Sequence, residues 1–94
     1  MKERPAELIT VEEQVLSLSP FIEADRETEP ISDKGTSVLD LYFENRWVVV
    51  EHHPEHGLGA TFITPDVIFP CGPAERYATV EEAVKGIARL LQVV

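Results

Sequence analysis

Between Ser37 and Ile63 the chain carries three runs of β-forming residues, and from Thr79 onward it switches to helical spacing. That change of period, from two residues to about 3.6, limits the fold more than any other feature, because a sheet face and a helix stripe must each be covered. Leu39, Leu41 and Phe43 alternate with Asp40, Tyr42 and Glu44, the pattern of a strand with one buried face. Glu44-Asn45-Arg46 breaks the run as a hairpin turn, with Asn45 suited to a positive φ. Trp47-Val48-Val49-Val50-Glu51 resumes with large and β-branched residues, as expected of a central strand covered on both faces. After Pro54-Glu55-His56-Gly57, a second turn, Leu58 to Ile63 forms a third strand antiparallel to the second. Gly59 marks a bulge or a close approach of the helix, and Val67-Ile68-Phe69, set between prolines, is at most a short edge strand.

The closing helix is the clearest local signal. Thr79 and Glu82 form a capping box, and Glu81 and Glu82 place negative charge at the helix start, where the dipole favours it. Val80, Ala83, Val84, Ile87, Leu90, Leu91 and Val94 make an apolar stripe that is expected to cover the sheet, with Lys85 and Arg89 mostly off it. Gly86 weakens this helix by about 1 kcal/mol relative to alanine and suits a close contact with the sheet. Near the N-terminus, Thr10 and Glu13 form a second capping box, with Leu8 as a staple ahead of it. Val11, Val15 and Leu18 then predict a short helix ending near Ser19, before Pro20.

The expected fold is therefore α+β: a small antiparallel sheet of three to four strands packed by a C-terminal helix, with a short N-terminal helix. Residues 1–22 form the N-terminal helical element, 23–36 an acidic linker or loop, and 37–94 the compact domain. Ninety-four residues make one small domain, with a thin core and little room for a deep enclosed site.

Charge narrows the function. Seventeen acids against eight bases give −9, spread along the whole chain. No basic cluster exists to track a phosphate backbone, which argues against direct nucleic-acid binding by a monomer. An acidic surface instead favours encounter with a basic partner. The acids of the connector and of the hairpin, Glu23, Asp25, Glu27, Glu29, Glu51 and Glu55, are the candidate steering contacts. The single cysteine, Cys71, suits a reducing cytosol, and the first twenty residues lack a signal-like or membrane-spanning apolar block. A cytoplasmic protein without membrane association is the expectation. A sheet with few strands leaves an edge open, so homo-oligomerisation through a sheet edge is also expected.

One cluster concentrates groups with site chemistry: Glu51-His52-His53-Pro54-Glu55-His56. His52, His53 and His56 are candidate ligands for zinc or a similar ion. On a strand, however, His52 and His53 point to opposite faces, and Pro54 excludes the helical metalloprotease arrangement. An ordinary polar turn is the competing reading. Cys71, in Pro70-Cys71-Gly72-Pro73, lacks a visible activating environment, and no glycine-rich phosphate loop is present. No cofactor is called for, and no motif gives a positive reason to propose an enzyme. A small metal-binding or enzymatic domain built on the histidine turn is the alternative to an interaction module; a homodimeric α+β domain is another.

The stretch from Trp47 to Leu91 resembles the compact domain of HicB-type antitoxins. The resemblance rests on the Pro54-Glu55-x-Gly57 turn, the return to Pro65-Asp66, Cys71-Gly72, and the Thr79-Val80-Glu81-Glu82-Ala83-Val84 helix entrance. It implies a sheet carrying helices, similar to a pared-down ribonuclease H fold, and a role in binding and silencing a small RNA-cleaving toxin. The longer segment between Pro65 and the helix, the N-terminal 36 residues and the missing DNA-binding module depart from that pattern.

Overall fold

A computed structural model describes residues 6–26, 37–55, 57–64 and 75–93. Its element order is α1 (Ala6–Leu16), β1 (Glu23–Arg26), β2 (Ser37–Phe43), β3 (Arg46–His53), β4 (Gly57–Ile63), β5 (Glu75–Tyr77) and α2 (Val80–Leu91). The fold is α+β, as expected, but among the described residues the sheet has five strands rather than three or four, in the order β1-β2-β3-β4-β5. Every neighbouring pair is antiparallel. Among the described residues no helix is long and apolar enough to cross a membrane.

Alternation decides which face meets the helices. Register places Leu39 opposite Val50 and Leu41 opposite Val48, then Val50 opposite Ala60. These residues are fully buried and form one core with Leu8, Val11 and Val15 of α1 and Ala83, Ile87 and Leu91 of α2. α2 packs against β3, β4 and β5, while α1 packs on α2 and reaches β1 and β3. Both helices therefore sit on one face. The two faces of β3 are covered unequally: Val48 and Val50 are sealed, Val49 is half-buried and Trp47 is exposed.

α2 follows its sequence closely. Thr79 takes an extended backbone and its hydroxyl accepts from the Glu82 amide at 3.1 Å, while the Glu82 carboxylate accepts from the Ala78 amide at 3.1 Å. The helix ends on Gln92, which is left-handed at φ 60°. Gly86 faces Tyr77 so tightly that a Cβ there would lie 2.5 Å from the tyrosine ring. Val94 lies outside the described residues.

Several local expectations are corrected. α1 starts a full turn earlier than the capping box implied: Thr10 lies inside the helix, where its hydroxyl donates to the Ala6 carbonyl at 2.9 Å. The reason is the stripe, since Leu8, Val11, Glu12 and Val15 share one face and are all buried. Leu8 is thus a core residue rather than a staple, and Leu18 lies beyond the helix and is exposed. Glu23–Arg26, placed in the linker, is strand β1, paired with Leu39–Tyr42. In the β2–β3 turn the positive φ falls on Glu44, at 56°, and not on Asn45. Gly59 makes no bulge; the ladder runs through it from Glu51 to Arg76 without a skipped residue. The expected edge strand Val67-Ile68-Phe69 lies outside the described residues, and the strand that follows β4 is Glu75–Tyr77.

Candidate partner-binding face

The sheet face turned away from the helices carries the acids. Register sets Glu23, Tyr42, Trp47 and Ile63 in one row across it, and Asp25, Asp40, Val49 and Thr61 in the next. A third row runs Val38, Glu51, Gly59 and Arg76. At the β1 end Glu23 and Asp25 are exposed, and Trp47 is 39 % exposed. Phe21, just ahead of β1, is exposed as well.

Aromatic and acidic groups are held together there. The Tyr42 and Trp47 rings stack with centroids 5.8 Å apart and planes at 22°. The Trp47 indole N–H donates to Asp40 Oδ1 at 3.1 Å, which fixes the indole over β2 and gives the buried Asp40 carboxylate a partner. Asp40 sits directly opposite Asp25. Two carboxylates facing across a ladder are unfavourable in isolation and concentrate negative potential beside the aromatic pair. An electron-rich ring face beside carboxylates is the chemistry that takes up a lysine or arginine side chain.

The opposite face is scaffold. Arg46 Nε donates to the Leu90 carbonyl at 2.7 Å, and its guanidinium lies 4.1 Å over the Phe62 ring. A cation thus ties the last turn of α2 to the hairpin, where the helix dipole favours positive charge. Arg89 grips Glu75 through two contacts of 2.5 and 2.6 Å. That grip, aided by the Tyr77 hydroxyl, which donates to Glu75 at 2.9 Å, holds the Glu75 carboxyl below the usual range even though burial pushes the other way. Burial, followed by the Glu75 hydrogen bond, pushes the Tyr77 hydroxyl up.

The histidine turn is split. His52 and His53 occupy opposite faces of β3, as adjacent strand residues must. His52 faces α1, with Nε2 3.6 Å from Glu7 and a buried Nδ1 that has no hydrogen-bond partner among the described residues. His53 Nδ1 accepts from the Glu55 amide at 3.1 Å. His56 and Cys71 lie outside the described residues. Among the described residues, no three His, Cys, Asp or Glu side chains converge as a metal site would require.

Of the candidate steering acids, Glu23, Asp25 and Glu51 share the outer face, and Glu55 is exposed in the second turn. Glu27 and Glu29 lie outside the described residues. Asp40, Tyr42 and Trp47 were not singled out from the sequence. The available signal was register, because a hairpin closing at Glu44-Asn45 sets Tyr42 opposite Trp47.

These features define a class by architecture: an antiparallel five-stranded meander with two helices on one face and an acidic, aromatic corner on the other. Compared with protein-family models, curated proteins and solved structures, the chain matches none.

Proposed function

We propose that this chain is a small acidic protein-interaction module that binds a basic protein partner in the cytoplasm and restrains it, in the manner of an antitoxin-like inhibitor. The observation that carries this reading is the outer corner of the sheet, where Glu23, Asp25 and Asp40 surround the Tyr42–Trp47 stack. The net charge of −9 supports it, because long-range attraction speeds encounter with a cationic surface. The resemblance of Trp47–Leu91 to HicB-type antitoxins points to the same kind of partner.

The test is affinity capture from the native cell with untagged competitor as control. The chain should retain one basic protein at low salt and release it as salt rises. A variant carrying Glu23→Gln and Asp25→Asn, both exposed, should lose that protein while unfolding at a temperature near the parent's. The purified partner should lose its own activity when the parent chain is added in equimolar amount. Retention of no basic protein at low salt would overturn the reading.

A further inference from the structure

The edge of the sheet at β1 is chemically specific. The β2–β3 hairpin has two turn residues and closes on Phe43 paired with Arg46. A two-residue hairpin closes on a pair that exchanges both backbone hydrogen bonds, and such pairs then alternate along the ladder. Leu39 and Leu41 therefore direct their backbone groups toward β3, while Asp40 and Tyr42 direct theirs toward β1. On β1 the partners of Asp40 and Tyr42 are Asp25 and Glu23, which bond inward. Ala24 and Arg26 are left with N–H and C=O aimed outward at the sheet edge. Ala24 is exposed, and among the described residues no further strand lies beyond β1 in the sheet. Such an edge is a template for another strand.

Charge disfavours the nearest candidate, a second copy paired β1 to β1. Within β1, of the described residues, Ala24 and Arg26 are the ones that can form the hydrogen-bonded pairs of a new antiparallel ladder. A two-fold register centred on Ala24 sets Glu23 opposite Asp25 twice. One centred on Asp25 sets that residue opposite itself, and one centred on Arg26 sets two arginines together. Each places like charges at positions where opposed Cα atoms are only about 4.5–5.5 Å apart. A strand with lysine or arginine at alternate positions has the reverse match. Its cations would fall opposite Glu23 and Asp25, in line with the Tyr42–Trp47 row and with Asp40.

We infer that β1 is a docking edge for an extended basic segment of the partner, added antiparallel as a sixth strand, with cationic side chains on the acidic face. This rests on the reading of the chain as a module for a basic partner and specifies how that partner is held. Backbone bonds at Ala24 and Arg26 provide attachment, and the acids select the sequence.

The probe is a synthetic heptapeptide of alternating lysine and threonine, tested on the full chain beside two controls. One control alternates glutamate and threonine; the other is the lysine peptide N-methylated at alternate residues, which keeps the charge but cannot complete the ladder. The lysine peptide should bind and slow amide exchange at Ala24 and Arg26, and N-methylation should weaken it by about tenfold or more, the equivalent of one lost good hydrogen bond. Ala24→Pro should weaken binding similarly, because it removes an outward N–H and leaves the β1–β2 bonds intact. Should that variant not fold, the N-methylated peptide still decides. Equal binding of the two lysine peptides, or protection confined to other strands, overturns the docking edge while leaving a charge-driven module standing. Protection of Ala24 and Arg26 that grows with protein concentration without peptide overturns it in favour of a second copy. If the lysine peptide does not bind and the native cell yields no basic partner, the edge and the module fall together.

Discussion

Glu44 holds φ at 56°, a conformation that costs an L-residue with a full side chain about 1–2 kcal/mol. Register forces this on it. Leu41 and Phe43 must share a face with Val48, which leaves two residues for the turn. Both hairpin turn types that suit the twist of the strands need a positive φ at the first central position. Asn45, the residue with the better propensity, occupies the second, where φ is not positive. Glu44→Gly should therefore raise stability by about 0.5–1 kcal/mol after glycine's extra chain entropy, or about 2–8 °C in Tm. Asn45→Gly should lower it, since that position draws no benefit from the freedom. Thermal unfolding of the two variants checks the sign, and a loss for Glu44→Gly would mean that its side chain holds the turn. The site shows the same competition. His52 and His53 were legible as a split pair from strand alternation alone, whereas Trp47 became meaningful only once register set it against Tyr42 and Asp40.

Among the elements, α2 carried the most information in its own sequence, because a cap, a dipole and an apolar stripe all agree on one answer. α1 did not: Thr10-x-x-Glu13 imitates a cap inside the helix, and only the burial of Leu8 shows where the stripe begins. β1 was invisible, since Glu-Ala-Asp-Arg has no apolar alternation and is held by backbone bonds to β2 that no side-chain pattern announces. The Gly86 contact was legible in kind but not in partner. Tyr77 enters it from β5, a three-residue strand, and is pinned by its bond to Glu75. Two effects oppose each other at this glycine. Alanine would gain about 1 kcal/mol of helix propensity, but its Cβ would meet two ring carbons and the hydroxyl oxygen of Tyr77 at 2.5–2.6 Å, and overpacking costs about 1–3 kcal/mol. Gly86→Ala should be destabilising by about 1 kcal/mol in the parent, and stabilising by a similar amount in a Tyr77→Leu background, where those atoms are gone. Denaturant midpoints for the four proteins of this cycle test it. The same sign in both backgrounds would show that the tyrosine yields freely.

At the scale of the whole molecule, seventeen acids against eight bases set a repulsion that the fold carries in its free state. Some of it is local, in the opposition of Asp25 and Asp40, and the remainder is spread over the surface. Compensating pairs among the described residues include Lys85 with Glu81, both exposed, and Arg89 with Glu75. Exposed pairs of this kind contribute little, because water and salt screen them. Added salt weakens the pairs and the repulsion together, and the excess of nine negative charges makes repulsion the larger quantity. Raising ionic strength from about 0.01 to 0.15 M shortens the screening length from about 30 to 8 Å, so distant acids cease to repel while contact pairs keep part of their attraction. The free protein should therefore unfold at a temperature higher by a few degrees in the saltier buffer. The complex with a basic partner should respond in the opposite sense, because there the same charges attract and screening lowers the association rate first. Calorimetric scans of the chain alone and stopped-flow association with the captured partner, across one salt series, give both signs. If Tm falls with salt, the ion pairs outweigh the repulsion, and the acidic surface is better balanced in the folded state than its net charge implies.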